Sequence, residues 1–259
     1  AVVGAPGQTI TTNSDNIGID YIFKRFPNGE WREFQRIEND GSDDGTAKSP
    51  SQSNFDDRLG AAVAIDGNVI AVGAPGTSGT SANDIGSVLV YEYNGSTNLW
   101  DKTATLQPTT QVYGMQLTLN NELNSTHTGT GTTDGSAAGG ALKVHRDTII
   151  AGAPGYHAAS DRLRSGMAIV FRKTGGTWAL EQELQIPSSE SDYDPGGQFH
   201  RDSSGNLYAQ TDARFGTSVD ICGDYAVIGA PGADGPSKDA QGIVFLFQRI
   251  SSGVGWKKI

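Results

Sequence analysis

Four histidines and a single cysteine are the side chains of this 259-residue chain best suited to hold a metal or act as nucleophile and base. His127, His145, His157, His200 and Cys222 show no metal-ligand spacing with one another. Cys222 lies at the end of an apolar run and reads as a small buried hydrophobe, not as a reactive thiol. No nucleophile elbow, phosphate loop or HExxH segment occurs. The expectation is a protein without catalytic residues, metal or cofactor. The remaining candidates make contacts instead of chemistry. Tyr113, Tyr156, His157, Arg162, Arg164 and Tyr193 are residue types that anchor protein or glycan partners, set against the plainer reading that each packs its own loop. Two N-glycosylation acceptors, Asn94 and Asn124, head the triplets Asn94-Gly-Ser96 and Asn124-Ser-Thr126, which would be used in a secreted eukaryotic protein.

Composition narrows the partners. The net charge of −10 comes without a basic stripe, which argues against nucleic acid. No apolar run approaches the eighteen residues of a membrane-spanning helix. One cysteine excludes an internal disulfide framework, while 35 glycines among many Ser, Thr, Asn and Asp residues point to short strands joined by turns. The chain opens on AVVGAPG and closes on Trp256-Lys-Lys-Ile259, both within a repeated motif, and so reads as a piece of a longer protein.

That motif organises everything else. Gly-Ala-Pro-Gly occurs four times, beginning at Gly4, Gly73, Gly152 and Gly229. A second glycine follows at 18, 86, 166 and 242, an offset of 14, 13, 14 and 13. A tryptophan follows at 31, 100, 178 and 256, an offset of 27, 27, 26 and 27, which uses every tryptophan in the chain. Upstream, Gly60, Gly139 and Gly216 each stand 13 residues before their Gly-Ala-Pro glycine. From each tryptophan to the next upstream glycine the interval varies, at 29, 39 and 38 residues. Fixed spacing interrupted by one variable segment is an internal repeat.

Each unit reads as four strands. A first strand follows the upstream glycine, a tight turn leads to a continuous apolar run ending at Gly-Ala-Pro, a third strand starts after the next glycine, and a fourth carries the tryptophan. No segment has the length and period of a helix. The predicted fold is all-β: a propeller of four-stranded antiparallel blades, the first lacking its opening strand. Blade a spans 1–37, blade b 55–107, blade c 138–186 and blade d 214–259, with insertions at about 38–54, 108–137 and 187–213. Turns one–two and three–four are short and share one end of the sheets. The exits after Gly-Ala-Pro and the variable insertions share the other, where binding is expected.

The pattern Phe215-Gly216 or Leu59-Gly60, then Gly-Ala-Pro, then a glycine before a Val-Phe/Tyr strand, resembles the FG-GAP repeat of integrin α-subunit β-propellers. The resemblance covers essentially the whole chain and implies part of a seven-bladed ring, completed by further propeller sequence or by a second chain. It also implies an extracellular or cell-surface module whose loop-rich face meets its ligand. One departure matters. Where the family often carries a calcium loop of alternating Asp residues, this chain has AIDGNV (64–69), VHRDTI (144–149) and DICGDYAV (220–227). None supplies the oxygen ligands that calcium needs, so calcium binding is not carried over. The acid-rich runs at Asp40–Asp44 and Asp192–Asp194 read as solvated loop acids.

The functional expectation is a non-enzymatic adhesion, matrix or structural assembly module with a protein or glycan ligand on one face. A carbohydrate-binding module and an accessory propeller of a larger secreted hydrolase or lyase are the alternatives.

Overall fold

The structure is a computed structural model and describes residues 1–8, 18–38, 58–75, 77, 86–108, 141–156, 165–186, 213–233, 241–250 and 255–259. Among these residues every regular element is a strand, and all strands pair antiparallel. Blade a contains β1 (Val2–Ala5), β2 (Ile19–Arg25) and β3 (Trp31–Glu38). Blade b contains β4 (Ala62–Asp66), β5 (Val69–Ala74), β6 (Ser87–Asn94) and β7 (Leu99–Leu106). Blade c contains β8 (Leu142–His145), β9 (Thr148–Ala153), β10 (Met167–Thr174) and β11 (Thr177–Leu184). Blade d contains β12 (Ser218–Cys222), β13 (Tyr225–Ala230), β14 (Ile243–Arg249) and β15 (Trp256–Lys258). Each sheet runs in chain order from the inner strand outward, and blade a has three strands where the others have four. Its β1 pairs with β2 as β5 pairs with β6, so the missing strand is the innermost.

Strand register repeats with the sequence. In blades a, b and c a bulge interrupts the pairing of the third and fourth strands at the same place, after Ile22, Val90 and Val170. Such bulges increase local twist, which stacked blades need to fan around an axis.

Three apolar clusters join the blades in order. Ile22 and Ile37 of blade a meet Ile70, Val72, Ala74, Leu89 and Tyr91 of blade b. The other face of blade b, with Ala71, Val88 and Val90, packs on Ile149, Ala151, Ile169 and Phe171 of blade c. The far face of blade c, with Ile150, Ala168 and Val170, packs on Ile228, Phe245, Phe247 and Trp256 of blade d. Every blade therefore has a backward face toward its predecessor and a forward face toward its successor. Each fully buried aliphatic side chain in these seams contributes about 1.5–3 kcal/mol.

The repeated glycines explain how close the blades come. Gly18 and Gly166 each form an isolated bridge with the chain entering the next blade, at Leu59 and Phe215. Both have left-handed backbones, with φ of 84° and 83°. A β-carbon there would collide with the backbone of Leu59 or Phe215, so only glycine fits. Gly60 and Gly216 are pressed in the same way against Gly4 and Gly152 of the preceding blade. Phe215 is fully buried beneath this contact, edge-on to Phe245 at 5.2 Å.

One sequence expectation fails here. Cys222 is exposed. It pairs with Tyr225 on the forward face of blade d. The residues matching Tyr225 in the repeat, Val69 and Thr148, are buried because the next blade covers them, whereas Tyr225 is 48% exposed. The cysteine sits at the end of a strand with only one face covered.

Candidate functional site

Antiparallel pairing brings the start of β4, the end of β5, the start of β6 and the end of β7 to one end of blade b. Ala62 lies opposite Gly73, Ala74 opposite Ser87, and Val88 opposite Leu106. The same holds in blades c and d, so all exits after Gly-Ala-Pro and all long insertions leave from this end. Among the described residues the opposite end carries short turns, such as Asp66 to Val69 and Thr174 to Thr177.

Each Gly-Ala-Pro exit is closed at its root by the same pair of backbone hydrogen bonds. Gln8 N donates to Ala5 O at 3.1 Å, and Gly18 N donates to Gln8 O at 3.0 Å. Thr77, Tyr156 and Ala233 repeat this, donating to Ala74, Ala153 and Ala230 and accepting from Gly86, Gly166 and Gly242. Proline fixes the first corner of the turn and glycine follows it. The motif is thus a clamp. It ends an inner strand and holds the two ends of a loop together, whatever the loop contains.

Side chains reinforce the clamps. Thr77 is buried and donates from Oγ1 to Ala74 O at 2.9 Å, and it accepts from Ser87 Oγ at 3.0 Å. Ser165 Oγ donates to Tyr156 O at 3.3 Å. Tyr156 itself is only 6% exposed, within the seam between blades b and c, and its hydroxyl accepts a 3.4 Å hydrogen bond from Gln185 Nε2. It packs the root of its loop and does not present its ring to a partner. The physical reason is its register: four residues past Gly152, it occupies the clamp position of Gln8, Thr77 and Ala233. Of the other contact candidates, Tyr113, His157, Arg162, Arg164 and Tyr193 lie outside the described residues, as does Asn124. His157 follows directly on the clamp residue Tyr156, and Arg162 and Arg164 precede its partner Ser165.

Asn94 closes β6 and is half-buried. Its Nδ2 donates to Asp101 at 2.8 Å and its Oδ1 accepts from Ser96 N at 3.0 Å. The amide nitrogen has a second hydrogen, so the sequon asparagine is positioned but partly engaged.

Nothing in the spacing argument singled out Arg58 and Arg214. Both adopt left-handed backbones, with φ of 51° and 53°, at the turn that leads into Leu59-Gly60 and Phe215-Gly216. Each carbonyl accepts a turn hydrogen bond, from Ala61 N at 3.0 Å and Thr217 N at 3.1 Å. A non-glycine residue in this region is held there by its surroundings. The signal was present as Arg-Leu-Gly and Arg-Phe-Gly, two copies of one triplet.

Away from the loops, carboxylates bind the blades together. Glu92 accepts from Trp178 Nε1 at 2.8 Å and from Lys173 Nζ at 2.5 Å. Burial alone would push its pKa up. Lys173, Trp178 and Thr103 outweigh that and hold the carboxyl below its usual range. Glu181 bridges the next pair of blades with the same partners, accepting from Trp256 Nε1 at 3.0 Å and from Arg249 Nη1 at 2.5 Å. Gln35 and Gln182 pair with the backbone N–H and C=O of Trp100 and Trp256. Asp66, in the hairpin where a calcium loop would stand, accepts instead from Arg146 N of the next blade at 2.7 Å.

A family model described as the FG-GAP repeat matches residues 49–91 and 209–247. The chain carries FG-GAP repeats. The two matched segments hold β4, β5 and most of β6 in blade b, and β12, β13 and most of β14 in blade d. They include both inter-blade glycines, Gly60 and Gly216, and the clamps that follow them. No curated protein matches the chain. Among solved structures, it is similar to a chain from an S. cerevisiae complex described as a Dbp5 variant bound to Nup159, a Gle1 variant, IP6 and ADP. The identity is 8% and the TM-score 0.33, over 89% of this chain and 40% of that one. The FG-GAP chain thus spans less than half the length of that structure. With the repeats, the clamps and the four stacked antiparallel sheets in place, the fold is a β-propeller module.

Proposed function

We propose that this FG-GAP propeller is a non-enzymatic, extracellular or cell-surface module that serves adhesion, matrix or structural assembly through the loops of one end. The observation that supports this reading is the set of four equivalent clamps. They hold the chain at matching positions on either side of four segments of unrelated sequence, 9–17, 78–85, 157–164 and 234–240. Variable loops on an invariant frame are how a fold diversifies what it binds. A protein or glycan ligand engaging His157, Arg162 and Arg164 fits the cationic and aromatic character of the third loop, and Tyr113 and Tyr193 belong to the insertions of the same end.

The test is binding of the purified chain to a panel of immobilised matrix proteins and to a glycan array. It is repeated after residues 157–164 are replaced by glycine and serine at equal length. The expected result is saturable binding to a protein surface that the replacement abolishes while thermal stability stays unchanged. Binding that survives replacement of all four exits and the insertions would remove the loop-face reading. Turnover of a polysaccharide by the chain would remove the non-enzymatic one.

A further inference from the structure

Asn-Gly occurs twice in the chain, as Asn28-Gly29 in the turn from β2 to β3 and as Asn94-Gly95 in the turn from β6 to β7. A glycine after asparagine leaves the backbone nitrogen between them unhindered, because no β-carbon crowds an attack by that nitrogen on the side-chain amide. The two turns hold this nitrogen differently. Gly29 N donates to Phe26 O at 2.9 Å, and Gly29 is left-handed with φ of 86°. Gly95 is exposed, its φ lies outside the left-handed region, and its N–H has no acceptor among the described residues.

The Asn94 carboxamide is fixed at both of its atoms. Oδ1 accepts from Ser96 N at 3.0 Å, and Nδ2 donates to Asp101 Oδ2 at 2.8 Å. The first contact places an N–H on the oxygen that gathers negative charge when Cγ is attacked, and a donor already in place there lowers the barrier to that attack. Asn28 has a similar contact, Oδ1 accepting from Glu30 N at 3.2 Å. What separates the two turns is therefore the attacking nitrogen, engaged at Gly29 and open to water at Gly95.

From this we propose that Asn94 is a self-modification site, at which the folded turn converts asparagine to aspartate and isoaspartate with water as co-reactant. Hydroxide takes the Gly95 amide proton, and the nitrogen's electron pair forms a bond to Asn94 Cγ. The Cγ–Nδ2 bond breaks, and the nitrogen leaves as ammonia after gaining a proton from water. Water then opens the cyclic imide at either carbonyl. The net change is one water consumed and one ammonia released, with no oxidation or reduction. The product adds a carboxylate next to Asp101, which loses its Nδ2 donor and gains a like charge. It also destroys the triplet Asn94-Gly-Ser96, so glycan attachment and deamidation exclude one another at this residue. The site lies at the end of blade b that bears short turns and is independent of what the loops bind.

The experiment is peptide mapping by mass spectrometry of the unglycosylated 259-residue chain, incubated at mildly alkaline pH either folded or in concentrated urea. Asn28 serves as the internal reference in both samples. In the folded chain Asn94 is expected to convert at least roughly tenfold faster than Asn28, a modest share of what one oriented donor to an oxyanion supplies in an enzyme. Urea removes both turns and brings the two rates together. Gly95→Ala is expected to slow conversion at Asn94 while leaving the melting temperature unchanged, since a β-carbon there meets nothing within 4 Å. Isoaspartate at residue 94 marks the cyclic imide, which direct hydrolysis of the amide would bypass. A ratio of Asn94 to Asn28 conversion no greater in the folded chain than in urea overturns the proposal. So does an Asn94 that stays intact in the folded chain, or a Gly95→Ala variant that converts as fast as wild type.

Discussion

Asp20 is the residue most at odds with its surroundings. It is fully buried, neither carboxylate oxygen has a hydrogen-bond partner among the described residues, and it lies between Gly4 and Ile37 in the sheet. The same repeat position holds Val88 in blade b and Ala168 in blade c. Burial pushes the carboxyl from 3.8 up to about 7. The folded state therefore binds a proton that the unfolded state has lost. Its contribution to stability is greatest below about pH 4, falls as pH rises toward 7, and is level above that. The loss amounts to at most roughly 4 kcal/mol. Asp20→Asn is expected to flatten this dependence, and Asp20→Val to raise the melting temperature at pH 8 further, since it restores the apolar residue of the other blades. Thermal melts of the three proteins between pH 5 and pH 8 check both statements. A wild-type melting temperature independent of pH over that interval would show that Asp20 is not the controlling group.

At the scale of elements, the blade is held by a division of labour between its strands. The second and third strands supply apolar faces, and the fourth supplies the tryptophan, which in blades c and d donates to a carboxylate of the previous blade. Glu92 illustrates the consequence. Its pKa is lowered where that of Asp20 is raised, so its contribution is present above the ordinary glutamate range and is lost as pH falls through the folded value. Glu92→Ala leaves Trp178 Nε1 and Lys173 without their acceptor in a partly buried seam, and should cost about 1–3 kcal/mol. Glu92→Gln keeps an acceptor for the indole and gives up only the ion pair, so it should cost less. Urea titration of both variants, followed by tryptophan fluorescence, ranks them. Equal losses would mean that the ion pair, and not the indole hydrogen bond, carries the seam.

Across the whole molecule, stability is uneven. In the 259-residue chain blades b and c pack on a neighbour at both faces, and blades a and d at one. Local opening is easiest where least apolar surface is covered. Backbone amides of β5 and β9 are therefore expected to exchange more slowly than those of β1 and β13. Hydrogen–deuterium exchange of the 259-residue chain, read by mass spectrometry, checks this; equal protection in all four strands would show that the stack opens as one unit.

Much of this architecture was legible in the sequence because backbone requirements are local and repeat. Gly18, Gly60, Gly166 and Gly216 recur at fixed offsets since any β-carbon there would strike the neighbouring blade, and the Gly-Ala-Pro clamps recur since every loop needs the same closed root. Burial was not legible in the same way. The runs VIAVGA, TIIAGA and YAVIGA are alike as β5, β9 and β13, and the first two are buried throughout while the third is buried only on alternate residues. Tyr156 and Cys222 mark its two directions: a loop aromatic that takes the plainer of its two readings and packs into a seam, and a strand-end cysteine left in the open against expectation. Strand order, turn positions and the end that bears the loops follow from the order of residues along one repeat. Whether a given apolar face meets another blade or water depends on which blades are stacked beside it, and only the tertiary structure decides that.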